Sequence, residues 1–363
     1  MHPPRDALVT ASENGRRLFV AVSEVHSDDL ALNVSSDLHN TIGRSRMTTI
    51  ATPLGTTAQP AHRGWHRLRR DRQALVCAAI LLVFVAAAIL APLLCRLLGV
   101  DTERHIQLLS IDNVGFPTGR FGGMSGDHPL GVEPQSGRDL LALLLYGARN
   151  SLLIAAGATL VNMVLGVVFG VIAGYAGGWS DSVISRALEV LIAFPVLLFS
   201  VALLAVLGNV GSVGPVHGNG LRIAILILVI GFFGFPYTAR LLRSQVLSLR
   251  QREFVASAKV LGASPLRIVA QEILPNLTGP IIVVTSLTVP AAILAEAGLS
   301  FLGVGITPPA TSWGQLLGAA SRVFVVDPAY LFFPGITLIV TVLALNLLGD
   351  SVRDAFDPRR SGS

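Results

Sequence analysis

Long uncharged apolar stretches constrain the fold of this chain more than any other feature of its sequence. The first runs from Ala74 to Leu94, and its 21 residues would form roughly 32 Å of helix, enough for a hydrocarbon core of about 30 Å. Similar stretches lie near residues 151–175, 187–208, 221–239, 277–297 and 330–348. Only 13% of the 363 residues are charged, against about 25% in a typical soluble domain. The sequence therefore predicts an all-α polytopic membrane protein with six transmembrane helices.

The placement of arginine predicts the orientation of these helices. Five arginines precede the first stretch, namely Arg63, Arg67, Arg69, Arg70 and Arg72. Because positive residues in short loops remain cytoplasmic, we expect a cytoplasmic N-terminus, and six crossings return the C-terminus to the same side. The loop at 240–276, between the fourth and fifth stretches, is then cytoplasmic. The loops near 98–150, 209–220 and 298–329 face outward.

The ends of the chain differ from its centre. Residues 1–73 are predicted to be a cytoplasmic tail, largely disordered, because most of it is rich in small polar side chains and lacks apolar periodicity. A chain starting at Met47 would keep the arginine cluster, so residues 1–46 are predicted to be dispensable. The membrane domain occupies 74–350, and a cytoplasmic tail follows at 351–363. A cleavable signal peptide is the rival interpretation of the first stretch, whose apolar core exceeds the usual length of about 7 to 15 residues.

The predicted cytoplasmic loop contains the pattern of two short helices joined by a glycine. There is no Gly or Pro from Glu253 to Leu261, and Gly262 suits the position just after a helix C-terminus. Ser264 followed by Pro265 is typical of an N-cap with proline at the first helical position. We therefore expect a compact helical hairpin rather than a floppy loop.

Two further expectations for this hairpin follow from residue type. Because proline disfavours helical geometry in the residue before it, the second helix should end by Leu274, before Pro275. Ala256, Ala258 and Gly262 have little bulk, so a partner's surface can approach the backbone closely there.

Simple counts exclude several kinds of site. The only lysine is Lys259, which follows an alanine, so the chain has no G-x-x-x-x-G-K-[ST] loop to bind ATP phosphates. The eight histidines lack a ligand-like spacing, so no metal site is predicted. The basic residues behind the net charge of +5 lie at the ends of the apolar stretches, so nucleic-acid binding is not predicted. Cys77 and Cys95 lie roughly 27 Å apart along one helix and cannot pair with each other.

Three classes suit a six-span protein with a structured cytoplasmic loop: a channel, a secondary transporter and the membrane part of an ATP-driven pump. Secondary transporters place ionisable residues at mid-membrane. Here the nearest are Glu189 and Glu296, both near the ends of their stretches, where interfacial or helix-packing roles are expected. A rigid helical hairpin is suited to receive force from a separate ATPase.

The outer region after the fifth stretch also has a recognisable pattern. Pro308 and Pro309 exclude a membrane helix there, whereas Trp313 and the leucines after it are apolar. We expect an interfacial turn and a short helix at the outer mouth, with Trp313 at headgroup depth. A loop that only closes the outer face by packing is the alternative.

The helical hairpin resembles the EAA loop of permease subunits of binding-protein-dependent ABC importers. The matching residues are Glu253, Ala256, Ala258, Gly262, Ile273 and Pro275. Other motifs, spread over roughly residues 74–360, resemble in their order the C-type permease of the dipeptide/oligopeptide branch. They include His128-Pro129-Leu130-Gly131, Tyr146-Gly147-Ala148-Arg149-x-Ser151-Leu152, Gly177-Gly178-Trp179-x-Asp181, Glu296-x-x-Leu299-Ser300-Phe301-Leu302-Gly303 and Asn346-Leu347-Leu348-Gly349-Asp350. The chain departs from the family at Val132-Glu133, where Thr-Asp is common.

This resemblance implies a non-catalytic subunit of the bacterial plasma (inner) membrane, surrounded by lipid, that takes up dipeptides or oligopeptides. It implies a second homologous permease subunit, two ATP-binding subunits that hold the ATP, and an extracytoplasmic substrate-binding protein that faces the 98–150 loop. It places the ATPase-coupling interface at Glu253, Ala256, Ser257, Ala258, Gly262, Ala263, Ser264, Pro265 and Leu266. The alternatives are a same-branch importer of nickel or another small solute, and a membrane channel or scaffold without ATP coupling. Substrate-binding and pore-lining residues are not predicted.

Overall fold

The computed structural model describes residues 10–13, 16–19, 68–102, 115–118, 121–207, 212–213 and 216–356. The chain divides into two units, residues 1–57 and 58–363. In the first, strands β1 (Thr10–Glu13) and β2 (Arg16–Phe19) pair antiparallel. Most of the N-terminal tail and part of the C-terminal tail lie outside the described residues. The disorder of 1–73 and the dispensability of 1–46 therefore stay predictions.

The second unit is built from helices. They are α1 (Arg72–Ile89), α2 (Ala91–Leu98), α3 (Leu140–Ala176), α4 (Gly178–Ala193), α5 (Val196–Leu207), α6 (Gly218–Arg250), α7 (Glu253–Val260), α8 (Pro265–Ile268), α9 (Leu274–Phe301), α10 (Trp313–Ala320) and α11 (Pro328–Phe356). A π-helical turn, Val269–Ile273, joins α8 to α9. Strands β3 (Ser212–Val213) and β4 (Val216–His217) form a small hairpin between α5 and α6. The predicted helical membrane architecture is confirmed.

Among the described residues, five helical elements are long and apolar enough to span a membrane: α1, α3, α6, the continuous helix from Pro265 to Phe301, and α11. The bent pair of α4 and α5 raises the number to six if the pair is one span. The stretch at 187–208 was predicted as a single helix. It is instead interrupted between α4 and α5, where the chain bends by 78°. Pro195 has no N–H and favours extended geometry at Phe194, where φ is −75° and ψ is 138°.

The first apolar stretch, predicted as one helix from Ala74 to Leu94, is divided at Leu90 into α1 and α2. Cys77 lies in α1 and Cys95 lies in α2, and both thiols are buried and unpaired.

The second helix of the predicted helical hairpin does not end at Leu274, which corrects the prediction made from Pro275. Instead α8 continues through the π-helical turn into α9, and Pro275 lies in the first turn of α9. A proline is tolerated at the start of a helix, and the wider π-helical turn before it absorbs the change in hydrogen bonding. The hairpin is therefore continuous with a membrane helix.

Glycines set the close crossing of α3 and α6. Gly166, Gly170 and Gly174 recur every four residues on the face of α3 that meets α6. A Cβ on Gly170 would lie 2.8 Å from the carbonyl oxygen of Ala239, so a larger residue would force the helices apart. Small residues at this spacing are typical of tightly packed membrane helices. This crossing lies at the centre of the bundle.

A buried cluster at one end of the bundle surrounds Trp313 of α10, which packs among residues of α1, α3 and α11. Its Nε1 donates to the carbonyl oxygen of Leu144 at 3.3 Å, and Phe84 packs edge-on against its ring with centroids 6.0 Å apart. This burial corrects the expectation of an interfacial Trp313 among lipid headgroups. The indole lies in the protein core because α3 supplies a partner for its N–H.

Candidate functional site

The turn between α7 and α8 is fixed by backbone hydrogen bonds. Gly262 has a φ of +77°, and its N–H donates to the carbonyl oxygen of Lys259 at 3.0 Å. The Ala263 N–H donates to the carbonyl oxygen of Ala258, also at 3.0 Å. These two bonds close the end of α7 in a Schellman motif, in which the left-handed position favours glycine. The predicted helix end at Gly262 is confirmed.

The start of α8 also follows the sequence pattern. The Ser264 hydroxyl accepts a hydrogen bond from the Arg267 N–H at 3.4 Å, and Pro265 occupies the first helical position. Because proline has no N–H to leave unsatisfied there, the two residues define the start of the helix sharply. α7 and α8 together, residues 253–268, are called the coupling hairpin below.

The underside of the coupling hairpin is anchored to the membrane helices. Val255 and Ile268 are buried in a cluster with Ile273 of the π-helical turn. Val171 of α3 and Val246 of α6 complete the contact, together with Leu277 of α9. The hairpin therefore packs on α3, α6 and α9 at once.

The turn of the coupling hairpin carries an exposed apolar tip formed by Val260, Leu261 and Leu266. Their exposed fractions are 88%, 86% and 83%. Val260 is the last residue of α7, Leu261 directly precedes Gly262, and Leu266 lies in the first turn of α8. Apolar side chains that protrude together in this way are typical of a surface that a partner covers.

The nine residues predicted for the coupling interface divide into two groups. The exposed group is Glu253, Ala256, Ser257, Gly262, Ser264, Pro265 and Leu266. Ala258 and Ala263 are half-buried and pack against the cluster under the hairpin. Val260 and Leu261 were not predicted, although two large apolar residues just before a turn glycine in a polar loop are a signal that could have identified them.

Glu133, Arg138 and Tyr330, of which Tyr330 is distant in the sequence, come together. The Glu133 carboxylate, which departs from the family pattern, is buried and pairs with Arg138 at 2.7 Å. Its other oxygen accepts a hydrogen bond from the Tyr330 hydroxyl at 2.8 Å. These residues border a cavity of about 720 Å³, called the outer cavity below, that is also lined by Ser300, Thr307 and residues of α10. Glu133 thus joins the outer loop to α11.

A second group of residues centres on Glu296, near the C-terminal end of α9. Its carboxylate is fully buried and accepts hydrogen bonds from the hydroxyls of Ser151 on α3, at 2.9 Å, and Ser300 on α9, at 2.7 Å. Residues of two separate sequence motifs therefore meet at one point. The expected helix-packing role of Glu296 agrees with this position.

No metal-binding group is evident in the part of the chain that the structure describes, where no three His, Cys, Asp or Glu residues lie together in a suitable arrangement. The absence of a metal site stays a prediction for the whole chain.

The comparisons with known proteins identify the class as a membrane component of a transport system. Residues 166–362 match the family described as "Binding-protein-dependent transport system inner membrane component", and residues 59–97 match the "N-terminal TM domain of oligopeptide transport permease C". The chain belongs to the family of binding-protein-dependent transport system inner membrane components. The family resemblance predicted from the motifs is confirmed.

Curated relatives are similar in sequence to this protein over most of its length. A dipeptide transport system permease protein, DppC of Alkalihalophilus pseudofirmus, is 36% identical over 84% of this chain and 91% of its own length. A glutathione transport system permease protein, GsiD of Escherichia coli, is 35% identical over 84% of this chain and 92% of its own length. A solved inward-facing MetNI methionine ABC transporter chain is 19% identical, with a TM-score of 0.48, over 59% of this chain and 96% of that chain.

Proposed function

We propose that the chain is the C-type permease subunit of an ABC importer for dipeptides or oligopeptides. The relatives that match over most of its length are named as permeases for a dipeptide and for glutathione, which is itself a tripeptide. With a second homologous permease it would line the path of the peptide. Two ATP-binding subunits would hold the ATP on the cytoplasmic side, and an extracytoplasmic binding protein would deliver the peptide.

The observation that carries this proposal is the coupling hairpin, with an anchored underside and an exposed apolar tip. Burial of Val260, Leu261 and Leu266 against an ATPase would contribute roughly 1.5–3 kcal/mol for each side chain. A shift of a two-state protein from 1:99 to 99:1 needs about 5.5 kcal/mol of differential binding. Contact at the tip would therefore bias the bundle to the extent that the ATPase binds the tip more tightly in one conformation than in the other.

The proposed orientation puts the hairpin and both termini in the cytoplasm. Arg243, Arg250 and Arg252 precede the hairpin, and the arginine cluster at 63–72 precedes α1. Since positive residues stay on the cytoplasmic side, both clusters favour the same face. The chain has no phosphate-binding lysine motif of its own, which supports a partner as the site of ATP hydrolysis.

The test is dipeptide uptake by the complete importer in proteoliposomes, with ATP on the hairpin side and binding protein on the other. Uptake should require both, and nickel should not compete with the peptide. Gly262→Asp should abolish uptake, because it introduces a charge beside the apolar tip that the ATPase would cover. Uptake that continues without ATP would instead support a channel, and competition by nickel would support a small-solute importer.

Exchange of the tip for polar residues tests the hairpin itself. The variant Val260→Ser/Leu261→Ser/Leu266→Ser should lose most of its bound ATPase, because the apolar contact area is gone. Val325→Ser is the matched control, since Val325 is also mostly exposed but lies just before α11, at the other end of the bundle. Equal ATPase binding by the two variants would count against the proposal.

A further inference from the structure

A single helix connects the coupling hairpin to the outer side of the protein. α8, the π-helical turn and α9 run without a break from Pro265 to Phe301, which corresponds to roughly 55 Å. Leu266 of the apolar tip lies in its first turn, and Glu296 lies near its other end. A displacement of the tip therefore has a continuous helical route to Glu296.

At the outer end, Glu296 holds the segment after α9 through two serines. The hydroxyl of Ser300 donates to Glu296 Oε1 and accepts from the Ile306 N–H at 3.2 Å. The hydroxyl of Ser151 donates to Glu296 Oε2 and accepts from the Trp313 N–H at 3.2 Å. Each carboxylate oxygen thus fixes one backbone N–H of the segment 302–313, called the outer segment below.

All the residues of this arrangement are buried. A buried N–H or carboxylate that loses its partner suffers a desolvation penalty with no compensation, so the bonds break only together with a larger rearrangement. The outer segment is also fixed to α3 by the Asn150 side chain, which donates to the carbonyl oxygen of Thr311 at 2.7 Å. The segment therefore cannot shift independently of α3 and α9.

We infer that Glu296, Ser151 and Ser300 are positioning residues. They make the outer segment move together with the continuous helix from Pro265 to Phe301. When an ATPase displaces the hairpin, the outer ends of α9 and α3 move. The outer segment moves with them, because Glu296 holds it through the hydrogen bonds of Ser151 and Ser300. This inference rests on the proposed function, because it needs an ATPase at the hairpin. It assigns the conformation of the outer mouth to three buried side chains of α3 and α9.

The test follows the outer segment by thiol labelling in the assembled importer. Thr307→Cys, in a background with Cys77→Ala and Cys95→Ala, reports on the outer segment, because Thr307 lines the outer cavity. Labelling is measured with and without a trapped ATP state. The parent should show a nucleotide-dependent change in rate of about fivefold or more, and Ser300→Ala should reduce this change to less than about twofold.

Ser286→Ala is the matched control, because it removes the same hydroxyl from the same helix. Its hydroxyl donates to the carbonyl oxygen of Val283 in its own helix, at 2.8 Å. It should keep the full nucleotide response, whereas Ser300→Ala should hydrolyse ATP while it transports fewer peptides per ATP. A smaller amount of folded Ser300→Ala complex with an unchanged ratio of peptide to ATP would show a purely structural role and would count against the inference.

Two further outcomes overturn the inference. One is an equal nucleotide response in Ser300→Ala and Ser286→Ala, and the other is a parent that imports peptide with ATP while Thr307→Cys labels at one rate in both states. Ser151→Ala repeats the test through Trp313 if Ser300→Ala does not assemble. Failure of the parent to couple uptake to ATP would overturn the proposed function as well, so the two claims fail in distinguishable ways.

Discussion

Arg243 binds Asp181 through two parallel hydrogen bonds, from Nε to Oδ1 at 2.5 Å and from Nη2 to Oδ2 at 2.7 Å. The pair joins the start of α4 to the part of α6 that leads to the coupling hairpin. A planar guanidinium suits this two-point contact, whereas an ammonium group does not. Since α4 follows α3 after a short glycine turn, the pair fixes the first half of the bent span at the end of the bundle that holds the hairpin.

Loss of this pair should destabilise the protein. We expect Asp181→Asn to lower the free energy of unfolding by about 1.5–3 kcal/mol, because a partly buried hydrogen bond between charged groups is lost. Thermal unfolding of the detergent-solubilised protein measures the effect. Glu189→Gln is the control, because its bond to Arg186 at 3.1 Å lies on the exposed surface of the same helix. A control effect as large as that of Asp181→Asn would refute a special role for the pair.

The α3–α6 crossing should not tolerate a single methyl group. Gly170→Ala would bring Cβ to 2.8 Å from a backbone oxygen, and we expect a cost of about 1–3 kcal/mol from the displaced helices. Gly279→Ala, in α9, has open space around the added methyl within the described residues and should be neutral or slightly stabilising. The fraction of protein that stays monodisperse after heating compares the two. Similar behaviour of both variants would show that the crossing is not close-packed.

The turn of the coupling hairpin should respond to backbone strain. Gly262→Val forces a branched residue into the left-handed region at a cost of about 1–2 kcal/mol or more, whereas Gly262→Asn should be tolerated better. We expect ATP-dependent uptake to fall with Val and to persist with Asn. Gly99→Val is the control, because Gly99 has a φ of +70° but lies after α2, away from the hairpin. It should affect stability without altering uptake per ATP.

Asp327 should make stability depend on pH. Burial raises the pKa of its carboxyl group above the ordinary value, although it accepts a hydrogen bond from the Tyr330 N–H at 3.4 Å. The folded protein therefore binds this proton more tightly than the unfolded chain. The resulting stabilisation is present at low pH and is lost as the pH rises from about 3.9, the unperturbed value, through the raised pKa.

Asp327→Asn should remove this pH dependence and raise stability at neutral pH, because a neutral amide keeps the cap of α11 without a buried charge. Unfolding temperatures of both proteins, measured in steps from about pH 3.5 to about pH 7, give the comparison. Parallel pH profiles for the parent and the variant would contradict the assignment.

Much of the helical architecture could be predicted from the sequence because each signal was local. Uncharged stretches identified the spans, and Gly262 with Ser264 and Pro265 identified the ends of the hairpin helices. The helix ends depend on the backbone preferences of single residues, and the spans depend on the transfer of apolar side chains from water to lipid. Both properties can be read from a short window of sequence.

The predictions failed where a feature depends on an irregular backbone turn or on contacts between helices that are distant in the sequence. Pro275 suggests a helix end, but a π-helical turn carries the helix past it. Trp313 suggests an interfacial residue, but α3 and α11 bury it. Glu296 could be placed near a span end, whereas its bonds to Ser151 and Ser300 require knowledge of which helices meet. The residues next to Glu296 in the sequence do not show which side chains of another helix contact it.

The central claim is that the apolar tip of the coupling hairpin contacts the ATP-binding subunit, and photo-cross-linking in intact membranes tests it most directly. A photoreactive amino acid at Leu261 should form an adduct with that subunit, and one at Val325 should not. An adduct from Val325 but none from Leu261, or a Leu261 adduct only with lipid, would contradict the account.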